Sequence, residues 1–169
     1  MQPRVDFSGG RRLFRPPAVI ISRLAAPALT LWRESMPITN GYKDLIAAAR
    51  AKIRTLTLDQ AKAKLGDTNT VFVDIRDVRE LEREGMIPGA FHAPRGMLEF
   101  WVDPQSPYYK EIFGSGKEFI LYCQSGWRSS LATATLQDMG LTPVCHVEGG
   151  FKAWKEACLP VAEKPQHKH

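Results

Sequence analysis

The chain has 169 residues, 44% hydrophobic and 24% charged, with a net charge of +5 and three cysteines. That length and balance fit one globular domain with a single core plus an extension, and they exclude collagen-like and wholly disordered chains. Cys123, Cys145 and Cys158 are odd in number and widely spaced, which excludes a disulfide-stapled secreted scaffold and points to a reducing, cytoplasmic setting.

The charge sits at one end. Residues 1–35 carry six arginines against Asp6 and Glu34, a net +4, so the rest of the chain lacks the basic stripe that a row of phosphates requires. Nucleic acid is therefore not an expected partner. The longest uncharged stretch nearby, residues 24–32, is far short of the roughly 20 residues that span a bilayer, and no membrane association is expected. Residues 1–35 read as a disordered or targeting-like extension, with Met36 as an alternative working start. A targeting role would replace the cytoplasmic location with an organellar or exported one. The domain is expected over residues 36–160, followed by a polar tail over 161–169.

From residue 43 onward, apolar runs of strand length alternate with helical periodicity, the pattern of an α/β domain on a mostly parallel sheet. The Ala-rich run 43–50 predicts a helix and Arg54–Leu56 a short edge strand. Residues 58–65 predict a helix capped by Thr57 or Asp59 and ended by Gly66. TVFVDI (70–75) is a β-branched, buried strand, 77–84 a helix closed by Gly85, and 90–92 a short strand after the Pro88-Gly89 turn. Residues 94–116 give only a short helix near Met97. A strand over Glu118–Tyr122, a helix over 129–139 stopped by Gly140, a strand over Val144–Val147 and a helix over 151–157 complete the order.

Cys123 falls directly after a strand and before a helix, at the carboxyl edge where open α/β sheets place ligands. Gln124, Ser125, Gly126 and Trp127 form a short glycine-containing loop, of the kind that turns N–H groups inward as an anion-binding nest. Such amides, with the positive end of the following helix, favour a thiolate and ready it for attack. Arg128 adds a permanent forked charge for sulfonate oxygens or for the thiolate, and Ser129 is a candidate helix cap. The competing reading makes Cys123 a small buried hydrophobe.

The pattern Cys123-x-x-Gly126-x-Arg128-Ser129 resembles the active loop of the rhodanese family. VDIRDVRELEREGMIPGAFHAP (73–94) is similar to the family's Asp-x-Arg strand end and Gly-x-Ile-Pro-Gly-Ala run, and VEGGFKAW (147–154) to its Gly-Gly-x-x-x-Trp segment. The resemblance covers roughly residues 54–160 and implies a mostly parallel five-stranded sheet with helices on both faces. It also implies a sulfurtransferase using a Cys123 persulfide, with residues 124–129 holding the donor and Asp74 and Arg76 in an orienting role. An ordinary surface ion pair is the plain alternative for those two. Trp127 stands in a slot often basic or small in relatives, adding an apolar wall at the rim.

On this reading the partners are a thiosulfate-like donor and a thiol or cyanide acceptor, with a sulfur-relay protein as a further one, and no metal or organic cofactor is required. Two rivals stand beside it: a sulfur-carrier or redox-sensing binding module, and a cysteine phosphatase, whose Cys-x5-Arg loop is one residue longer than the loop here. Cys145 reads as buried strand packing and Cys158 as a late-helix thiol. Trp101, Tyr108 and Tyr109 read as a cover for either the pocket or the core.

Overall fold

The computed structural model describes residues 38–164; the expected extension, Met36 and the last five residues of the expected tail lie outside them. Five strands, β1 (Arg54–Leu56), β2 (Thr70–Asp74), β3 (Phe91–His92), β4 (Glu118–Tyr122) and β5 (Val144–Val147), form one sheet in the order β1-β5-β4-β2-β3. Every strand pair within it is parallel. β2 and β4, neighbours inside the sheet, are the longest strands, and every one of their residues but Thr70 is buried, as strands covered on both faces must be.

Among the described residues, six α-helices surround the sheet: α1 (Tyr42–Lys52), α2 (Leu58–Ala63), α3 (Val78–Glu84), α4 (Leu98–Val102), α5 (Trp127–Asp138) and α6 (Gly150–Glu156). The two-residue alternation of side chains divides the core between the faces. Val71, Val73, Phe119, Leu121 and Cys123 join Leu98 of α4 and Ala132 and Leu136 of α5 in one cluster. Phe72, Ile120, Tyr122, Cys145 and Val147 join Ala61 of α2 and Phe151 and Trp154 of α6 in the other. Thr57, not Asp59, caps α2: its Oγ1 accepts from Gln60 N, and its own N–H donates to Gln60 Oε1.

Residues 94–116 are more ordered than their Pro and Gly content suggested. A 3-10 turn at Arg95–Met97 runs into α4, and Trp101 packs against Phe91 with ring centroids 6.2 Å apart, so it covers the core. Residues 161–164 are held as well: Met86 and Ala162 exchange backbone hydrogen bonds of 2.8 and 2.9 Å, and Trp154 Nε1 donates to Pro160 O at 2.7 Å.

Candidate active site

Chain connections leaving β2 run to β3 and those leaving β4 run to β5, in opposite directions across the sheet. The carboxyl ends of β2 and β4 therefore diverge into the crevice that such sheets use for ligands. Asp74 and Tyr122 are register partners there, which brings Arg76 and Cys123 to the same spot from two strands.

The loop is packed from below by α6. Phe151 N donates to Cys123 O at 2.8 Å and Lys152 N to Gln124 O at 2.9 Å, so the loop carbonyls face α6. The N–H groups of Gln124, Ser125 and Gly126 donate to no protein acceptor among the described residues. Gly126 adopts φ +83° and lets α5 begin at Trp127. Cys123 is only 1% exposed and packs in the core cluster under α4 and α5, as the competing reading of a small buried residue expects, while standing at the start of the loop. The strand alternation that buries Phe119 and Leu121 under α4 and α5 carries Cys123 to the same face.

Two carboxylates one turn apart on α3 clamp the two ends of the loop. Glu80 takes both arms of Arg128, Nη1 at 2.8 Å and Nη2 at 2.9 Å, and Glu84 accepts from Gln124 Nε2 at 3.1 Å and Lys155 Nζ at 2.7 Å. Glu80 is itself fixed, because Asp77 N donates to it at 3.1 Å in the N-terminal box of α3. The Arg128 bond holds the Glu80 carboxyl below its ordinary range, and Lys155, then Arg83, hold Glu84 down to about 2. Arg128 is driven further toward its charged form, first by Glu80, with Cys123 adding to it. Sequence reasoning missed both glutamates; the Asp77-x-x-Glu80 box was the available signal.

Asp74 and Arg76 are completely buried, not a surface pair. Arg76 Nε and Nη2 bond the Asp74 carboxylate at 3.0 and 2.7 Å, and Nη2 also reaches Gly85 O at 2.6 Å. Nη1 donates to Gln124 Oε1 at 3.3 Å, and the guanidinium lies 4.0 Å from the centre of the Phe151 ring. One buried cation thus links β2, α3, α6 and the cysteine loop. Asp74→Asn leaves that charge uncompensated and is expected to cost about 3 kcal/mol or more in a urea unfolding titration.

The other expected site residues are placed differently from one another. Ser125 is exposed, and Trp127 points at α1, its ring 5.4 Å from that of Tyr42. Ser129 is not a cap: Gly126 occupies that position, while Ser129 Oγ lies buried within α5, donating to Gly126 O at 3.2 Å and 3.3 Å from His146 Nδ1. Burial, with the charge of Arg50, holds His146 down to about 4, so it is neutral at pH 7. Cys145 is buried with its thiol pushed up to about 12 by desolvation, and Cys158 is exposed in the turn after α6. Among the described residues, no group of three or more His, Cys, Asp or Glu side chains is placed to hold a metal, and no helix is long and apolar enough to cross a membrane.

A sequence profile of the rhodanese-like domain matches residues 57–157. A sulfurtransferase of Allochromatium vinosum is 30% identical over 110 residues, covering 64% of this chain and 94% of that one. An uncharacterized Synechocystis protein is 36% identical over 93 residues, 55% of this chain, which spans about half (47%) of that relative's length. Among solved structures, a protein of unknown function from Rhodopseudomonas palustris, described as a possible tyrosine phosphatase, superposes with a TM-score of 0.73 and 54% identity. That match covers 75% of this chain and 98% of the other. With its parallel five-stranded sheet and a family profile over most of its length, the chain belongs to the rhodanese-like domain family.

Proposed function

We propose that this chain is a sulfurtransferase in which Cys123 takes a sulfane sulfur from a thiosulfate-like donor, holds it as a persulfide and passes it to a thiol or cyanide. The observation that carries the reading is the loop: one thiol at the end of the central strand, N–H groups without protein acceptors beside it, and an arginine five residues on. Unused donors next to a thiol suit an anion whose reacting atom is sulfur. The Cys123 thiolate attacks the outer sulfur of thiosulfate, the bond to the sulfonate sulfur breaks, and sulfite leaves with the electron pair. An acceptor then attacks the outer sulfur of the persulfide, and Cys123 departs as thiolate.

In this reading Arg128, whose arms are engaged by Glu80, meets the oxygens of a donor at the Cys123 thiol. Donor oxygens compete with Glu80 for that fork. Arg128→Ala is expected to raise KM for thiosulfate about tenfold or more, the worth of a charged hydrogen bond. Glu80→Gln keeps the helix box but weakens the competitor, and is expected to lower KM. A rise in both variants would make Glu80 a support for Arg128 and not its competitor.

The phosphatase reading, which the Rhodopseudomonas palustris relative brings up, is disfavoured by loop size. Only four residues separate Cys123 from Arg128, against five in the phosphatase pattern, and the shorter loop makes a narrower cradle for a tetrahedral phosphoryl group. The deciding experiment is intact mass after incubation with thiosulfate, followed by mapping: a gain of one sulfur atom on Cys123 supports transfer. Turnover of p-nitrophenyl phosphate without that gain overturns it, and loading only from a partner's persulfide favours the sulfur-carrier reading.

A further inference from the structure

Between α1 and the start of α5 lies a cavity of about 600 Å³ lined by Tyr42, Lys43, Ile46, Ala47, Arg50 and Trp127. That size is within the range of small-molecule sites. The cavity adjoins the cysteine loop, because Trp127 directly precedes Arg128 and an Arg50 Nη lies 3.7 Å from where a Cβ on Gly126 would stand. Its walls have two chemical characters. Tyr42 and Trp127 are 54% and 51% exposed, large aromatic surfaces left facing outward above Ile46 and Ala47. Such half-open aromatics are costly unless something apolar covers them.

The second character is charge. Arg128, Arg76 and Lys155 around the loop are each paired with a carboxylate. Lys43 and Arg50 pair with no carboxylate among the described residues, and Arg50 spends its Nε on Ser130 Oγ at 3.4 Å, leaving its outer arms for a ligand. Among the described residues, Lys43 and Arg50, which line the cavity, are thus cations beside the loop that no carboxylate neutralises. Thiosulfate has all its atoms at the reacting centre and cyanide has two, so neither fills such a space.

We propose that this cavity binds the organic part of the sulfur acceptor, a low-molecular-weight thiol that carries a carboxylate on an apolar or aromatic body. The carboxylate meets Lys43 and Arg50, and the body lies on Tyr42 and Trp127. The inference rests on the Cys123 persulfide reading and adds the acceptor's chemistry to it. The acceptor thiolate attacks the outer sulfur of Cys123–S–SH, forming a new S–S bond. The bond to Cys123 breaks, its electron pair returns to Cys123 as thiolate, and the proton travels with the transferred sulfur. No outside oxidant or reductant is consumed.

The test loads the full chain with thiosulfate and measures transfer to three acceptors: 4-mercaptobenzoate, neutral 4-methylbenzenethiol and cyanide. The proposal expects a KM for 4-mercaptobenzoate about tenfold or more below that for the neutral thiol, a preference that Lys43→Gln/Arg50→Gln removes. Ala47→Trp fills an exposed wall of the cavity without altering charge, and is expected to raise KM for both aromatic thiols relative to cyanide. If both variants change the three acceptors in equal proportion, or not at all, the subsite is overturned while the persulfide stands. If thiosulfate adds no sulfur to the parent chain by intact mass and cyanide receives none, the thiosulfate-fed persulfide reading itself has failed.

Discussion

Cys123→Ser is expected to abolish sulfur loading from thiosulfate and to reduce transfer to cyanide by at least about a thousandfold, as removal of a covalent nucleophile does. Cys145→Ser and Cys158→Ser are expected to keep most of the rate, for separate physical reasons. The Cys145 thiol is buried, donates to Phe119 O at 3.7 Å, and is pushed up to about 12, which leaves almost no thiolate at neutral pH. Cys158 is exposed after α6, apart from the diverging ends of β2 and β4. The serine oxygen in the first variant preserves a small polar group against Arg128, so folding should survive and the measurement reports chemistry. Activity retained by Cys123→Ser, with loss in either of the others, would place the sulfur on the wrong residue.

The sequence reading followed the elements whose determinants are local. TVFVDI and EFILY are too short and too β-branched or aromatic for helices, and they became β2 and β4 within a residue of the expected bounds. Cys123 was found because a strand, a glycine and a helix start bracket it within a few positions. What stayed hidden depends on separation along the chain. Glu80 and Arg128 are 48 residues apart, and Glu84 and Gln124 are 40 apart, so no periodicity could pair them. Asp74 and Arg76 were visible as a pair, but their burial depends on Phe151 and Gly85 arriving from elsewhere. Ser129 was misplaced as a cap because Gly126, in the left-handed region, starts α5 two residues earlier than periodicity suggested. The cavity beside Trp127 was out of reach for the same reason, since α1 and α5 meet only in three dimensions.

The Gly149-Gly150 pair has a structural purpose beyond ending a strand, and Gly150→Ala tests it. Gly150 has φ +62°, and a Cβ there would fall inside the contact distance of Cys123 O, 2.9 Å from Gly126 N and 3.0 Å from Gln124 C. All three are backbone atoms of the loop, which cannot swing aside as a side chain can. The same approach lets Phe151 N and Lys152 N bond the carbonyls of Cys123 and Gln124, fixing the loop from beneath. Left-handed strain and overpacking together are expected to cost about 2 to 6 kcal/mol, a large part of an ordinary domain's stability. Gly66→Ala is the control, because its φ of +84° carries the strain but nothing lies within 4 Å of the added methyl. Unfolding midpoints should therefore fall much further for Gly150→Ala than for Gly66→Ala. Any folded Gly150→Ala protein should load sulfur poorly, because the loop has been lifted from its support. Equal losses in the two variants would mean that φ alone matters and that the loop tolerates the methyl. The cysteine would then owe its setting to the α3 glutamates and not to α6.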